Sequence, residues 1–226
     1  MGFNQGAYDA FLVQNKVVGL LEDPITLRSG GRSYWYANFR TLLRDYSTVE
    51  QAAQFIYDFT TGLGLEPTNF FGVPEGPREF AGGCNRILFA KEPPVSASSL
   101  RAGYKTHGSP LDRYSVGPIS EDMQPILIED ATTTANSSTE YLMLLQELGN
   151  NPLALVSMLN RQQRRNDGRT AKEFVEDCYN VPYHNMASAE TVLPAAVEIL
   201  KPSPRTLEGL RRELADERSY AVRIEI

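Results

Sequence analysis

The run Ile126-Leu127-Ile128-Glu129-Asp130-Ala131-Thr132-Thr133-Thr134-Ala135-Asn136-Ser137-Ser138 constrains the fold of this chain more than any other segment. Three consecutive apolar residues suit a strand buried on both faces, as in a parallel sheet covered by helices on each side. They end on two adjacent carboxylates, followed by small and hydroxyl residues that can lead into a helix. A strand, a turn and a helix N-terminus in that order offer backbone N–H groups and the positive end of a helix dipole to an anion such as phosphate. Glu129 and Asp130 can accept hydrogen bonds from sugar hydroxyls or from the water shell of a divalent cation. The segment therefore predicts a site for a phosphorylated sugar at the carboxyl end of a buried strand.

The pattern on either side agrees. Helix and strand signals alternate from about residue 48: a helix over 48–62 with Thr48 as N-cap, a buried strand at 69–73, a helix over 77–90 and a strand at 98–100. Beyond the central run come a helix over 137–149, a strand at 154–159, a helix over 170–178, an edge strand at 181–184 and a helix over 187–199. This alternation predicts an α/β fold, a doubly wound and mostly parallel sheet flanked by helices, with ligands at the carboxyl ends of its strands. Upstream, Phe11, Leu12, Val18 and Leu21 recur at helical spacing and predict one helix over 8–21. Ile25-Thr26-Leu27 and Tyr34-Trp35-Tyr36 flank Ser29-Gly30-Gly31-Arg32 as a hairpin. The organisation expected is an N-terminal hood over 1–45, a core domain over 46–200, and a C-terminal segment over 201–226 with a last helix at about 205–217. Residues 102–118 hold Gly103, Gly108, Pro110, Gly117 and Pro118 around Lys105, His107, Asp112 and Arg113, and read as a long surface loop of a length that is usually functional or disordered.

Composition narrows the function classes. Of 226 residues, 42% are hydrophobic and 22% charged, as in an ordinary soluble globular protein. A net charge of −6 argues against a general nucleic-acid binder, yet local arginines can still form a pocket for a small anion. Cys84 and Cys178 stand far apart without metal-ligand spacing, which predicts two reduced, mostly buried thiols in a cytoplasmic protein. No apolar stretch approaches the roughly 18 residues of a membrane span, and Met1-Gly2-Phe3-Asn4-Gln5 does not open a secretory signal. Neither G-x-x-x-x-G-K-[ST] nor G-x-G-x-x-G occurs, which disfavours a P-loop NTPase and a dinucleotide-binding domain.

Ile126 to Ser138 also resembles the phosphoribosyl-pyrophosphate motif of the type I phosphoribosyltransferases, and the chain as a whole resembles the orotate phosphoribosyltransferases among them. Four further segments carry that resemblance, in the family's order. Thr26-Leu27-Arg28-Ser29-Gly30-Gly31-Arg32-Ser33-Tyr34-Trp35-Tyr36-Ala37-Asn38 is similar to its N-terminal segment, and Phe71-Gly72-Val73-Pro74-Glu75-Gly76-Pro77 to its pyrophosphate loop. Arg101-Ala102-Gly103-Tyr104-Lys105-Thr106-His107-Gly108 is similar to the start of its mobile catalytic loop. Leu159-Asn160-Arg161-Gln162-Gln163 is similar to a strand end that supplies an orotate-binding arginine.

The resemblance implies Mg2+-dependent transfer of a phosphoribosyl group from phosphoribosyl pyrophosphate to orotate, a step of pyrimidine biosynthesis, with the Mg2+ carried by the diphosphate and no dedicated metal site. It implies that Glu129 and Asp130 hold the ribose hydroxyls, and that Ala131, Thr132, Thr133, Thr134, Ala135, Asn136 and Ser137 form the phosphate loop. Arg28, Tyr36 and Arg161 would then meet orotate, and Arg101, Lys105, His107 and Asp130 would serve catalysis. It further implies a homodimer in which loop 102–118 reaches the neighbouring site. The partners expected are small molecules, with no nucleic acid and no membrane. Two positions depart from the family pattern: Gly76 and Ala102 stand where lysines are usual. That departure keeps two alternatives open, a non-catalytic or regulatory protein of the same fold that binds phosphoribosyl pyrophosphate or a nucleotide, and a phosphoribosyltransferase for another nucleobase.

Overall fold

Ile126, Leu127 and Ile128 lie in an interior strand and have no exposed surface. The computed structural model that shows this describes residues 2–27, 31–91, 93–107, 113–216 and 219–226. The chain runs through α1 (Gln5–Gln14), β1 (Val18–Thr26), β2 (Arg32–Ala37), a 3-10 turn (Phe39–Arg44), α2 (Tyr46–Gly62), β3 (Asn69–Gly72) and α3 (Arg78–Lys91). It continues through β4 (Ser99–Leu100), β5 (Ser115–Val116), β6 (Pro125–Thr132), α4 (Asn136–Glu147), β7 (Ala154–Asn160), α5 (Ala171–Tyr179), β8 (Tyr183–Asn185), α6 (Ala189–Leu200) and α7 (Pro204–Leu214).

Four strands form a parallel sheet in the order β3-β6-β7-β8, with Phe71 opposite Leu127 and Leu127 opposite Leu155. Alternate residues of each strand face opposite sides. Phe70, Ile126, Ile128 and Val156 pack with α1, α2, α3 and α6, whereas Phe71, Leu127 and Leu155 pack with α4 and α5. Helices therefore cover both faces, as the alternation predicts. The crossover helix after β3 lies on one face and those after β6 and β7 on the other. Where an open α/β sheet changes face in this way, a crevice opens beyond the carboxyl ends of its strands.

The structure corrects several boundaries. The N-terminal helix stops at Gln14, because Asn15 caps it with its side chain on the Phe11 carbonyl and Lys16 turns to φ 59°. Val18 and Leu21 belong instead to β1, which pairs antiparallel with β2. Asp45, not Thr48, caps α2, its carboxylate accepting from the Thr48 N–H at 3.0 Å. Residues 102–118 are not wholly irregular: Ser99 pairs with Val116 and Leu100 with Ser115, and the Arg101 and Lys105 N–H groups donate to Tyr114 and Arg113 carbonyls at 3.0 and 2.8 Å. β4 and β5 thus pair as a β-hairpin, within which residues 108–112 lie outside the described residues. Cys84 is buried, but Cys178 is exposed on α5. Among the described residues no helix is long and apolar enough to cross a membrane.

The β1–β2 hairpin packs against α6 and α7, and α1 lies along α6. One contact there carries a buried charge. Asp9 on α1 is 4% exposed and accepts from Gln5 Nε2 at 3.1 Å and Thr191 Oγ1 at 3.3 Å. Burial pushes its carboxyl up to about 6 against the lowering effect of those two donors. A carboxyl raised in the folded state stabilises the fold fully below its unfolded pKa and loses that contribution as pH rises through about 6. Asp9→Asn keeps an acceptor for both donors. It is expected to raise stability by about 1–2 kcal/mol at pH 7.5 and to leave it unchanged near pH 4, as read by thermal unfolding at the two values.

Candidate functional site

The carboxyl ends of β3, β6 and β7 converge. Val73 N donates to the Ile128 carbonyl at 2.8 Å, and Arg161 N donates to the Thr132 carbonyl at 2.9 Å, so the chain leaves all three strands side by side. The loop after β3 folds back tightly over the sheet. A Cβ on Gly72 would lie 2.5 Å from the Pro77 backbone, so only glycine fits. A Cβ on Gly76 would lie 2.7 Å from Asp130 Oδ2, which puts this loop directly against the second acid of the β6 pair. A side chain at position 76 would push the Asp130 carboxylate aside, and that accounts for the glycine there.

Glu129 and Asp130 differ in setting. Asp130 is half-buried and accepts from the Ala131 N–H at 2.7 Å. Glu129 is buried, with Ser138 Oγ donating to its Oε2 at 2.7 Å and the Asp130 N–H to its Oε1 at 3.3 Å. Burial first, and the Asp130 charge second, push the Glu129 carboxyl up to about 8. The pair is thus short of positive charge in a water-poor setting, a suitable place for hydroxyl donors or a hard cation.

Beyond the acids the chain turns into α4 through Ala135, whose φ of 61° is left-handed and which caps the helix with no side chain. The first-turn N–H groups of α4 therefore have no internal cap and face the loop. Thr133 and Thr134 are half-buried, and Asn136 and Ser137 are exposed beside them. Arg165 braces this loop from β7's side: its Nη1 donates to the Thr134 carbonyl and, at 2.9 Å, to Asn136 Oδ1, while its guanidinium lies 3.4 Å from the centre of the Phe174 ring on α5. In the sequence Arg165 is one of two adjacent arginines, Arg164 and Arg165, with nothing to single it out. The partner carbonyl is 31 residues away, and no local pattern marks it.

Arg161 follows β7 directly and is 4% exposed. Its guanidinium stacks 3.7 Å from the centre of the Trp35 ring, donates from Nη2 to Ser33 Oγ at 2.8 Å, and lies 3.9 Å from Glu213 Oε1. Its Nε is buried without a partner among the described residues. Burial lowers the pKa of this guanidinium from its ordinary value. Tyr36 is exposed at the end of β2. Arg28 lies outside the described residues.

Arg101 donates from Nε to the Ser115 carbonyl at 3.1 Å, and His107 is exposed. Among the described residues, neither Lys105 nor His107 makes a hydrogen bond or ion pair to Glu129 or Asp130. Arg78, at the start of α3, donates from Nη2 to the Leu100 carbonyl at 3.1 Å, and its Nε is buried without a partner among the described residues. Tyr141 on α4 lies within electrostatic reach of Arg78, Glu129 and Glu75.

No family model matches the chain. It is 27% identical over 157 residues to the orotate phosphoribosyltransferase of Rhodopseudomonas palustris, a match spanning 68% of this chain and 81% of that protein. The fold matches the crystal structure of the Francisella tularensis orotate phosphoribosyltransferase with a TM-score of 0.72 at 15% identity, over 95% of this chain and 99% of that one. The chain is a relative of the orotate phosphoribosyltransferases in sequence and in fold. The Mycobacterium tuberculosis orotate phosphoribosyltransferase, solved in complex with 5-phospho-α-D-ribosyl 1-diphosphate, matches with a TM-score of 0.60 at 18% identity, over 84% of this chain and 99% of that one. The resemblance read from the five sequence segments is therefore met by both comparisons, and the doubly wound sheet is the fold of these relatives.

Two expectations follow from the site itself. Because the Glu129 carboxyl is raised, stability is fully present below its unfolded pKa and falls as pH climbs through about 8. Glu129→Gln keeps an acceptor for Ser138, so its melting temperature should exceed that of the wild type increasingly between pH 5 and 8.5. Ala135 carries about 1–2 kcal/mol of left-handed strain. Glycine would release that strain but give up about 0.5–1 kcal/mol of chain entropy and about 0.8 kcal/mol of methyl burial. These terms nearly cancel, which explains how alanine stands here. Ala135→Gly should shift stability by less than about 1 kcal/mol, and Ala135→Val, β-branched at positive φ, should lower it by more than about 2 kcal/mol in denaturant titrations.

Proposed function

We propose that this chain is a pentosyltransferase that moves the phosphoribosyl group of phosphoribosyl pyrophosphate onto orotate. The observation that carries the reading is the β6–α4 segment: two carboxylates on a buried strand end, against a pyrophosphate-side loop that touches Asp130, and an uncapped helix N-terminus beyond them. In this reading the N–H groups from Thr133 to Ser137 and their hydroxyls take the 5-phosphate, and Glu129 and Asp130 take the ribose hydroxyls. The relatives' names support orotate as the acceptor.

The two acids form a hard-oxygen donor set of the kind Mg2+ prefers, and among the described residues no cluster of three or more acidic, histidine or cysteine ligands adds to it. The donors fit an ion that arrives with the diphosphate. When bound, Mg2+ would neutralise the diphosphate oxygens as they gather charge. The rest is done by the chain. The Gly72–Pro77 turn seats the diphosphate, and the acids fix the ribose so that its C1 faces the acceptor. The acceptor's ring nitrogen gives its electron pair to C1, the C1–O bond breaks with its pair leaving on pyrophosphate, and the ring N–H proton passes to the departing pyrophosphate or to solvent. Arg101 and Lys105 carry the positive charge that would meet this leaving group once their hairpin closes, and His107 rides on the same hairpin. We further assign a homodimer in which hairpin 102–118 serves the neighbouring site, and a cytoplasmic place in pyrimidine biosynthesis. Tyr36, Arg28 and Arg161 border the acceptor.

An absorbance assay with orotate, phosphoribosyl pyrophosphate and Mg2+ tests the reading: turnover is expected, and chelation of Mg2+ should abolish it. Lys105→Ala should lower kcat by about 10²–10³-fold while calorimetric affinity for phosphoribosyl pyrophosphate changes little. Turnover with another nucleobase in place of orotate would move the acceptor. Tight diphosphate binding with no turnover on any base would replace the enzyme with a binding protein of the same fold.

A further inference from the structure

The buried polar cluster around Arg161 is assembled largely from the far end of the chain. Glu213 on α7 accepts from Ser33 Oγ at 2.8 Å, from the Tyr34 N–H at 2.6 Å and from Tyr220 Oη at 2.7 Å, and its Oε1 lies 3.9 Å from Arg161 Nη2. Tyr220 in turn accepts from Trp35 Nε1 at 3.0 Å. The segment carrying Tyr220 is stitched to the residues just after Arg161: Ala221 N donates to the Gln162 carbonyl at 2.8 Å, and Arg164 N to the Ser219 carbonyl at 2.8 Å. One carboxylate thus holds three donors besides the nearby guanidinium, and one phenol ties that carboxylate to the indole on which the guanidinium is stacked.

We propose that Glu213, with Tyr220 beside it, is the positioning residue of the acceptor side of this site. It orients Arg161 and holds the β2 segment that ends in the exposed Tyr36. The assignment rests on the reading of Arg161 and Tyr36 as acceptor-bordering residues. Arg161 stands at the right place for that, one strand over from the phosphate loop and joined to it through Thr132. Every strong contact of its Nη atoms is made within the chain, and Nε alone is left without a partner among the described residues. A guanidinium already neutralised by Glu213 offers an acceptor a fixed donor rather than a loose charge. A fixed donor is worth more to selectivity, because its geometry is set before the ligand arrives. Leu210, fully buried on the same helix, has no polar link to the cluster and serves as the structural control.

Trp35 is the chain's only tryptophan, so its fluorescence reports on this cluster alone. The test titrates orotate into Glu213→Gln, Glu213→Asp, Tyr220→Phe and Leu210→Ala variants, reading Trp35 emission, with calorimetric binding of phosphoribosyl pyrophosphate and steady-state kinetics alongside. Glu213→Gln is expected to weaken orotate binding and raise its KM by about tenfold or more, with kcat and diphosphate affinity within about twofold of the wild type. Tyr220→Phe removes one hydroxyl and no charge and should shift orotate KM by about threefold, so the outcome does not depend on Glu213→Gln folding. Glu213→Asp should recover part of the loss, and Leu210→Ala should lower the melting temperature without moving orotate KM. If Glu213→Gln and Tyr220→Phe turn over orotate with wild-type KM, or move it no further than Leu210→Ala, the positioning role is wrong while the enzyme reading stands. A wild-type protein that binds the diphosphate but neither binds nor turns over orotate overturns the reading and the assignment with it.

Discussion

Parallel pairing of β6 with β3 on one edge and with β7 on the other lines up three chain segments that are far apart in sequence. Parallel strands end together, so their exits share one rim of the sheet. The hydrogen bonds from Val73 to Ile128 and from Arg161 to Thr132 carry this alignment one residue beyond the strands. The Gly72–Pro77 loop, the acid pair with the turn into α4, and Arg161 therefore arrive in order along a single edge. Non-local pairing of this kind costs chain entropy before it returns anything. The return comes from burial of Ile126, Leu127, Ile128, Leu155 and Val156, each worth roughly 1.5–3 kcal/mol when fully withdrawn from water.

Two charged groups are buried along that rim, and they are treated differently. Arg161 has a carboxylate, a hydroxyl and an aromatic face within reach, all supplied by the chain. Losing one member of such a pair would leave the other uncompensated, at about 3–5 kcal/mol. Among the described residues Glu129 accepts from one hydroxyl and a neighbouring N–H, and the Asp130 carboxylate beside it opposes its charge. The Arg161 side of the rim is thus held and charge-matched by the chain itself, whereas the Glu129 side is left in need of donors or a cation. A ligand rich in hydroxyls that brings its own metal would relieve the second without disturbing the first.

Much of this was legible in the sequence, and the reasons are local. The apolar run before Glu129 specifies a doubly buried strand, and the small residues after it specify a turn into a helix. Thr170 and Ser188 close capping boxes with Glu173 and Thr191, which mark the starts of α5 and α6. What stayed hidden depended on geometry that neighbouring residues do not encode. Asp45 and Thr48 are both good caps, and only the path of the preceding turn selects Asp45. Lys16 takes a left-handed angle with no glycine to announce it, so the apolar spacing ran on past the true end of α1. Arg165 and Glu213 act on groups 31 and 180 residues away, and no periodicity could pair them.

The glycines of the loop after β3 show how one packing demand shapes the edge of the site. The loop lies so close to the sheet that Gly72 cannot carry a Cβ, and the same descent presses Gly76 against Asp130. With this backbone any side chain at 76 would meet the Asp130 carboxylate, which would have to shift to admit it. Arg78, two residues on, is already inside α3 and anchored to Leu100 at the base of the hairpin. Its anchorage ties the loop's charge to the same hairpin that bears Arg101 and Lys105. A cation held at the hairpin's root can influence the loop after β3 only as firmly as β4 itself is held, and β4 packs beside β3, the strand from which that loop departs.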